Sequence, residues 1–217
     1  MGPTFGAKTI QPPFEDESVY FHLKNPDGRE WRQWRYPSTL SAAVDALVAE
    51  AGPPHALVNN AGITADGLML KLSADQWDQV IAANLRSVFL FARQVMPSMM
   101  ERRSGVILQM SSISAIKGNV GQTNYAATKA GMLGVTRSLS LETARFNIRV
   151  NAILPGLVDT EMLSQMPERD RTNLARQVPL RRLCRVGEVA ALTRFLLSED
   201  AAYITGQAFA IDGGLTA

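Results

Sequence analysis

The sequence has one cysteine, Cys184, two histidines, His22 and His55, and a net charge of only +2 in 217 residues. A single cysteine excludes an internal disulfide and a cysteine-rich metal cluster, and the presence of only two histidines argues against a structural zinc site. No apolar run approaches the ~20 residues that a membrane span needs. The near-neutral charge argues against nucleic acid as a partner. These absences predict a cytoplasmic protein with no metal, no nucleic-acid partner and no membrane contact.

Aromatic residues are scarce everywhere except in the first 36 residues, which hold seven of the 15 in the chain. Within this segment, two β-prone runs at 18–25 and 29–36 flank a Pro-Asp-Gly turn, a pattern typical of a β-hairpin. We therefore divide the chain into an atypical N-terminal segment, 1–36, and a core, 37–217. The hairpin is expected to pack against the edge or face of the strand at 56–59.

From residue 37 onward the apolar pattern alternates between helical and strand periods. Strands are predicted at 56–59, 105–110, 148–154 and 208–211, and helices at about 38–51, 74–102, 123–145, 160–176 and 188–198. Pro97 is expected to kink the second helix or to start a new one. Strands alternating with long helices predict an α/β fold, a Rossmann-like doubly wound parallel sheet.

The strongest chemical pattern is Tyr125 followed by Lys129, because residues i and i+4 lie on one face of a helix. A nearby ammonium should lower the pKa of the Tyr125 phenol and suit it to proton transfer. Ser112 follows the predicted strand 105–110, and ligands bind at the carboxyl ends of such strands. Ser112 and Tyr125 are therefore expected to meet at one substrate oxygen.

Several further stretches accompany this pair: LVNNAG (57–62), AANL (82–85), GNVGQTNY (118–125), PGLVDT (155–160), DAAYITG (200–206) and IDGG (211–214). Together they resemble the short-chain dehydrogenase/reductase family, and within it the 3-oxoacyl-(acyl carrier protein) reductases. The resemblance runs from about Pro37 to the C-terminus. It implies an NAD(P)-dependent oxidoreductase that transfers hydride from NADPH to a β-keto thioester in fatty-acid or polyketide-like synthesis.

The resemblance also implies roles for individual residues. Ser112 would hold the substrate carbonyl, Tyr125 would donate a proton, Lys129 would bind the nicotinamide ribose and lower the tyrosine pKa, and Asn84 would hold a relay water. The cofactor would contact Asn59, Ala61, Gly62, Tyr125, Lys129, Pro155, Gly156, Val158 and Thr160. The segment 161–178 would form a lid over the substrate.

The same resemblance implies two partners. One is an acyl carrier protein or acyl thioester, with Arg103 at a docking position and Phe146, beside Arg145, where a second arginine would stand. The other is a homo- or hetero-oligomer with a related reductase subunit, paired through the helices 74–102 and 123–145.

One family feature, the pyrophosphate loop T-G-x-x-x-G-x-G, is not found in the 217 residues. The segment 2–8 imitates its glycine spacing, but Lys8 stands where the last glycine belongs and prolines follow. NADPH binding is therefore expected to be weak or lost. Two alternatives stay open: a cofactor-impaired, non-catalytic partner subunit of a complete reductase, or the product of a misassigned or rearranged gene start.

Overall fold

The computed structural model describes residues 19–23, 32–36, 49, 54–160, 163 and 166–217. The helix predicted at 38–51 and the glycine pattern at 2–8 lie outside the described residues. The same holds for the side chains of the N-terminal segment.

Four parallel strands form the central sheet of the described chain: β3 (Ala56–Asn59), β4 (Gly105–Met110), β5 (Ile148–Pro155) and β8 (Ala208–Ile211). They lie in the order β3-β4-β5-β8, as the sequence predicts. Met110 pairs with Ile153, so β4 and β5 end side by side. Near-continuous apolar runs suit strands that helices cover on both faces. The predicted α/β fold with a parallel central sheet is confirmed.

The helix predicted at 74–102 consists of three parts: α1 (Ala74–Ile81), a π-helical segment (Ala82–Arg86) and α2 (Ser87–Arg102). A capping box starts α1, since the Ser73 hydroxyl accepts from Gln76 N and the Gln76 side chain accepts from Ser73 N. Pro97 lies inside α2. The prediction that Pro97 opens a new segment is therefore wrong, and the irregular turn comes earlier, around Asn84.

Three further helices of the described chain complete the core. The short α3 (Ser114–Lys117) precedes α4 (Thr123–Thr143), while α6 (Val186–Leu197) lies towards the C-terminus. One core cluster joins α2 and α4 to the sheet through residues such as Val95, Ile107 and Leu139. Another joins α6 to the opposite side through Leu108 and Leu196. The helices thus hold the sheet between them and leave its carboxyl edge accessible.

The region after β5 contains a small parallel pair, β6 (Val158–Asp159) with β7 (Cys184–Arg185), which the sequence pattern did not reveal. Between them lies α5 (Glu168–Gln177), in the segment predicted as the lid. Arg171 of α5 forms a 2.5 Å ion pair with Asp159. Val178, just after α5, is buried. The described part of the predicted lid segment is therefore attached to the rest of the fold both in its middle, through Arg171, and at its end, through Val178.

The predicted hairpin is present as β1 (Val19–Leu23) and β2 (Arg32–Tyr36), which pair antiparallel with Phe21 opposite Trp34. These strands form a sheet of their own and are not hydrogen-bonded to β3. Pairing of the hairpin with the β3 edge is therefore wrong for the described strands. Packing against the face of β3 depends on side chains outside the described residues and stays a prediction.

Within the described ranges, no helix has the length and apolar character required to cross a bilayer. The same ranges contain no group of three or more His, Cys, Asp or Glu side chains that could hold a metal ion.

Candidate active site

A pocket of about 230 Å³ opens at the carboxyl ends of β4 and β5. Residues from both strand ends, from α4 and from the segment after β3 line it: Asn60, Gly62, Thr64, Met110, Ser111, Ser112, Tyr125, Lys129, Pro155 and Gly156. Ligands bind at this edge in doubly wound sheets. Six of these residues were predicted as catalytic or cofactor-binding, so the structure brings most of the predicted site together.

Ser112 and Tyr125 both line this pocket, and the Ser112 side chain acts as a hydrogen-bonding neighbour of the Tyr125 phenol. The chain turns after β4 so that Ser112 Oγ also accepts from Ser114 N at 3.1 Å. Tyr125 lies in the first turn of α4, which therefore presents its side chain at the strand ends. Two hydroxyl groups that line one pocket can both reach one carbonyl oxygen.

The pKa of Tyr125 is raised above 10.0, mainly because burial disfavours the charged phenolate. The Ser112 hydrogen bond opposes this rise, and the negative charge of Asp66 adds to it. The prediction of a lowered Tyr125 pKa is therefore wrong, and Lys129 is not among the groups that shift it. The Lys129 ammonium lies 5.5 Å from the centroid of the tyrosine ring.

Lys129 is itself buried, with 3% of its surface exposed. Its Nζ donates a 2.7 Å hydrogen bond to the Met110 carbonyl. Burial without a carboxylate partner lowers the pKa of Lys129 to about 8. A buried ammonium at the pocket wall is suited to donate hydrogen bonds to the hydroxyl groups of a ligand.

Asn84 lies in the π-helical segment and is fully buried. Its Oδ1 accepts from Ile63 N at 2.7 Å, and its Nδ2 donates to Ile63 O and to Thr128 Oγ1 at 2.9 and 3.2 Å. An asparagine in an unusual helical turn fits the sequence argument that this residue is awkward in a regular helix. Asn84 lies behind the pocket wall, and its predicted role of holding water stays a proposal.

The LVNNAG stretch contributes unequally to the site. Gly62 lines the pocket, and a Cβ at Gly62 would lie 3.4 Å from both Lys129 Nζ and Asn84 Oδ1. Asn59 points instead into the sheet, where its Nδ2 donates to Gln109 Oε1 at 2.9 Å. Ala61 is exposed and, like Asn59, does not line the pocket. Glycine at 62 thus keeps open the space in front of Lys129.

The PGLVDT stretch supplies the opposite wall through Pro155 and Gly156. A Cβ on Gly156 would lie 2.7 Å from Asp212 Cα, so only glycine fits where the wall meets the IDGG turn. Asp212 caps that turn by accepting from Gly214 N and Thr216 N. Val158 and Thr160 are half-buried and do not line the pocket.

Sequence reasoning missed four residues of the pocket lining: Asn60, Thr64, Met110 and Ser111. Ser111 is buried, and its hydroxyl donates to Lys129 O at 2.8 Å, which attaches α4 to the end of β4. Asn60 and Ser111 adjoin residues that the motifs singled out, and Met110 is the last residue of the predicted strand 105–110, so these positions were the available signal. Thr64 had no such signal, because its place depends on the path of the chain after β3.

Comparison with known proteins agrees with this geometry. The family described as enoyl-(acyl carrier protein) reductase matches residues 35–216. The chain belongs to the short-chain dehydrogenase/reductase family. It is 44% identical to the 3-oxoacyl-(acyl-carrier-protein) reductase FabG of Thermotoga maritima, over 81% of this chain and 72% of the relative. It is 41% identical to an acetoacetyl-CoA reductase of Acinetobacter sp., over 93% and 78%, and 40% identical to FabG of Escherichia coli, over 82% and 73%.

As a member of the short-chain dehydrogenase/reductase family the protein is an oxidoreductase, and its relatives imply a nicotinamide cofactor. The pocket fits the nicotinamide–ribose half of such a cofactor. Lys129 supplies a buried cation with free donor capacity, Tyr125 supplies a hydroxyl, and Gly62 leaves the space beside them open. Among the described residues, the predicted cofactor-binding residues that line the two walls of the pocket are the ones that would hold this half of the cofactor.

Proposed function

We propose that the protein reduces the ketone of a 3-oxoacyl thioester to a hydroxyl group, with NADPH as the reductant. The observation that carries this proposal is that Ser112, Tyr125 and Lys129 line one open pocket at the strand ends. The relatives named as 3-oxoacyl-(acyl-carrier-protein) and acetoacetyl-CoA reductases support a 3-oxoacyl substrate. A role in fatty-acid synthesis belongs to the same proposal.

The reaction needs a proton at the carbonyl oxygen as a hydride adds to the carbonyl carbon. Reduced nicotinamide, when bound, supplies that hydride. Tyr125 is suited to donate the proton because its raised pKa keeps the phenol protonated near neutral pH. Ser112 holds the same oxygen through its hydroxyl and stabilises the negative charge that develops there.

Lys129 and Asn84 act behind this pair. Lys129, whose Nζ lies next to Gly62, would bind the ribose hydroxyls of the cofactor. It would also take part in the path by which a proton reaches Tyr125. Asn84 would keep the relay water of the family in place through its backbone, because its side chain is occupied by Ile63 and Thr128. Pro155 and Gly156 would contact the nicotinamide, while Val158, Thr160, Asn59 and Ala61 would support the two walls.

We also propose that the protein is an oligomer, paired with itself or with a related reductase through α2 and α4. Val80 and Val88, in the helical stretch predicted at 74–102, are buried inside the subunit. Phe89 of α2 and Leu141 of α4, in contrast, are exposed apolar side chains. These two residues are the ones that such a contact would cover.

The proposal is tested by mixing the purified chain with NADPH and acetoacetyl thioester and following loss of absorbance at 340 nm. Binding of NADPH and NADH is measured in parallel by quenching of tryptophan fluorescence. We expect turnover with NADPH, with a weaker affinity than a complete glycine-rich loop gives. Loss of three charge-assisted hydrogen bonds, at roughly 1.5–3 kcal/mol each, would raise a micromolar dissociation constant for NADPH towards millimolar.

Turnover with NADPH and not with NADH would support the whole proposal. A preference for NADH would show that NADH, and not NADPH, is the cofactor. Binding without turnover, or neither, would contradict the reductase function. Turnover that returns only when a complete related reductase is added would instead favour the partner-subunit alternative.

We propose further that an acyl carrier protein docks beside Arg103. The structure gives Arg103 a left-handed backbone conformation at the end of α2, and its guanidinium donates to the Arg145 carbonyl at 2.7 Å. Arg145 lies 4.7 Å from the Phe146 ring centroid, and Arg103 lies 6.0 Å from the same ring. Two exposed guanidinium groups thus share one aromatic side chain, and such a cationic surface suits an acidic partner.

Reversing both charges with Arg103→Glu and Arg145→Glu should slow reduction of carrier-bound substrate by about tenfold or more, and of a small thioester little. Arg102 is left unchanged because its guanidinium donates to the Pro54 carbonyl at 2.8 Å. The measurement is kcat/KM on both substrates at low salt. Arg194→Glu, an exposed arginine on α6, is the matched control. Equal slowing of both substrates would remove this docking surface.

A further inference from the structure

A short segment after β3, Ile63–Gly67, crosses from the π-helical segment to the start of α4, and we name it the strap. At one end the strap is held by Asn84, whose side chain makes two hydrogen bonds to the backbone of Ile63. At the other end Gly67 N donates to Gly121 O at 2.8 Å. The strap therefore connects the buried Asn84 to the loop that precedes Tyr125.

Two side-chain contacts fasten the middle of the strap to the residues just before Tyr125. Asn124 Nδ2 donates to Ala65 O at 3.0 Å, while Asn124 Oδ1 accepts from Tyr125 N at 2.8 Å. Gln122 Nε2 donates to both carboxylate oxygens of Asp66, at 3.3 and 3.1 Å. Thr64 of the strap lines the pocket, so the strap is both a pocket wall and a support for the tyrosine.

A further hydrogen bond, on the side away from Asp66, orients the Gln122 amide. Asn119 Nδ2 donates to Gln122 Oε1 at 3.1 Å, which leaves the Gln122 amino group directed towards Asp66. An amide with its oxygen already occupied by a donor can meet a carboxylate only through its N–H groups. The contact between Gln122 and Asp66 is therefore specified from both sides.

Asp66 is the one charged residue of the strap. Two groups act on the pKa of the Tyr125 phenol besides burial: Ser112 after β4 and Asp66. Lys129, one turn along α4, lies 5.5 Å from the ring centroid. Asp66 raises the pKa of Tyr125, because a negative charge disfavours phenolate. Its charge thus works in the direction that a proton donor needs.

We propose that Asp66 is a positioning residue for Tyr125, which holds the start of α4 through Gln122 and presents a negative charge to the phenol. The geometric part of this proposal rests on the strap alone. Its consequence for catalysis rests on the proposed reductase function. Asp66 is exposed, so it acts on the reaction through Gln122 and through its charge, and not by touching the reacting atoms.

The test measures the pKa of Tyr125 directly, with no substrate or cofactor present. The full chain is labelled with ¹³C at the tyrosine ring carbon bearing the hydroxyl, and its four tyrosine signals are titrated by NMR. Comparison with Tyr125→Phe assigns the signal. Asp66→Asn keeps an oxygen acceptor for Gln122 but removes the charge, and it should lower the measured pKa of Tyr125.

Asp200→Asn, which removes an exposed carboxylate near the C-terminus, is the matched control and should leave the Tyr125 pKa unchanged. Gln122→Met removes the tether and keeps the charge, and it should reduce kcat severalfold while Asp66→Asn retains kcat at low pH. In Asp66→Asn the alkaline fall in the rate of reduction should move to lower pH.

An unchanged Tyr125 pKa in Asp66→Asn, or a shift equal to that of Asp200→Asn, would overturn the proposal. If the pKa falls as expected but the wild-type chain reduces no 3-oxoacyl thioester, the proposed function is wrong and the placement of Asp66 stands. The NMR titration and the turnover assay therefore judge the two proposals separately.

Discussion

Replacing Lys129 with methionine is expected to make the protein more stable and, at the same time, inactive. Lys129 is buried with no carboxylate partner, and its pKa falls from 10.5 to about 8. That difference corresponds to about 3 kcal/mol against the folded state at pH 7. Methionine has a similar length and no charge to desolvate. After subtracting the lost hydrogen bond to the Met110 carbonyl, Lys129→Met should raise the free energy of unfolding by about 1–3 kcal/mol.

The free energy of unfolding should also depend on pH, because the buried charge of Lys129 is lost when the lysine is deprotonated. Below pH 8 Lys129 is protonated in both the folded and the unfolded chain, so the full cost of burying its charge lowers the free energy of unfolding. Between pH 8 and about 10.5 the unfolded chain holds this proton and the folded chain does not, so the free energy of unfolding rises with pH. Tyr125 acts in the opposite sense at higher pH, because its raised pKa makes the folded chain retain a proton above pH 10. The rise due to Lys129 is therefore seen between pH 8 and 10.

Urea unfolding of wild type and Lys129→Met at pH 7, 8, 9 and 10 measures this difference. The two curves should converge as pH rises, because deprotonated lysine carries no charge penalty. Lys117→Met, at the exposed lysine that ends α3, serves as the control and should show no such convergence. A less stable Lys129→Met at every pH would show that the hydrogen bond to Met110 outweighs the burial of the charge.

Most of the sheet could be predicted because its strands are short apolar runs bounded by polar residues. The predicted bounds of β3, β4 and β8 match the structure residue for residue, and β5 extends one residue further, to Pro155. The sequence did not reveal β6 and β7, two residues each, because pairs so short have no periodicity to detect. The π-helical turn at Asn84 was indicated only as an awkward residue in a helix.

The candidate site could be predicted as a set of residues but not as an electrostatic environment. Spacing placed Ser112, Tyr125 and Lys129 in one pocket, and the structure brings them together. The pKa of Tyr125 could not be obtained from spacing, since it depends on burial and on where the Lys129 ammonium points. Lys129 turns to the Met110 carbonyl, which no local pattern specifies. The strap was missed for the same reason, because its contacts join residues 21 to 59 positions apart.

Removing the phenol of Tyr125 is expected to have the largest effect on turnover. Tyr125→Phe keeps the ring and its contact with the Lys129 ammonium, but it leaves no proton donor at the oxygen that Ser112 holds. A positioned general acid contributes about 10²–10⁴ in rate, so reduction of a 3-oxoacyl thioester should fall by that factor. The Ser112 hydrogen bond contributes about 1 kcal/mol to stability, so the variant should remain folded.

The measurement is kcat at saturating NADPH from pH 6 to 10.5, with unfolding curves as the check on folding. Wild-type reduction should fall at the alkaline end, where the phenol loses its proton, and the residual rate of Tyr125→Phe should lack that fall. Tyr203→Phe, at an exposed tyrosine outside the pocket, is the matched control and should keep both the rate and the alkaline fall. If Tyr125→Phe retained more than about a tenth of the wild-type rate, the proton would have to reach the oxygen from Ser112 or from water, and Tyr125 would only shape the pocket.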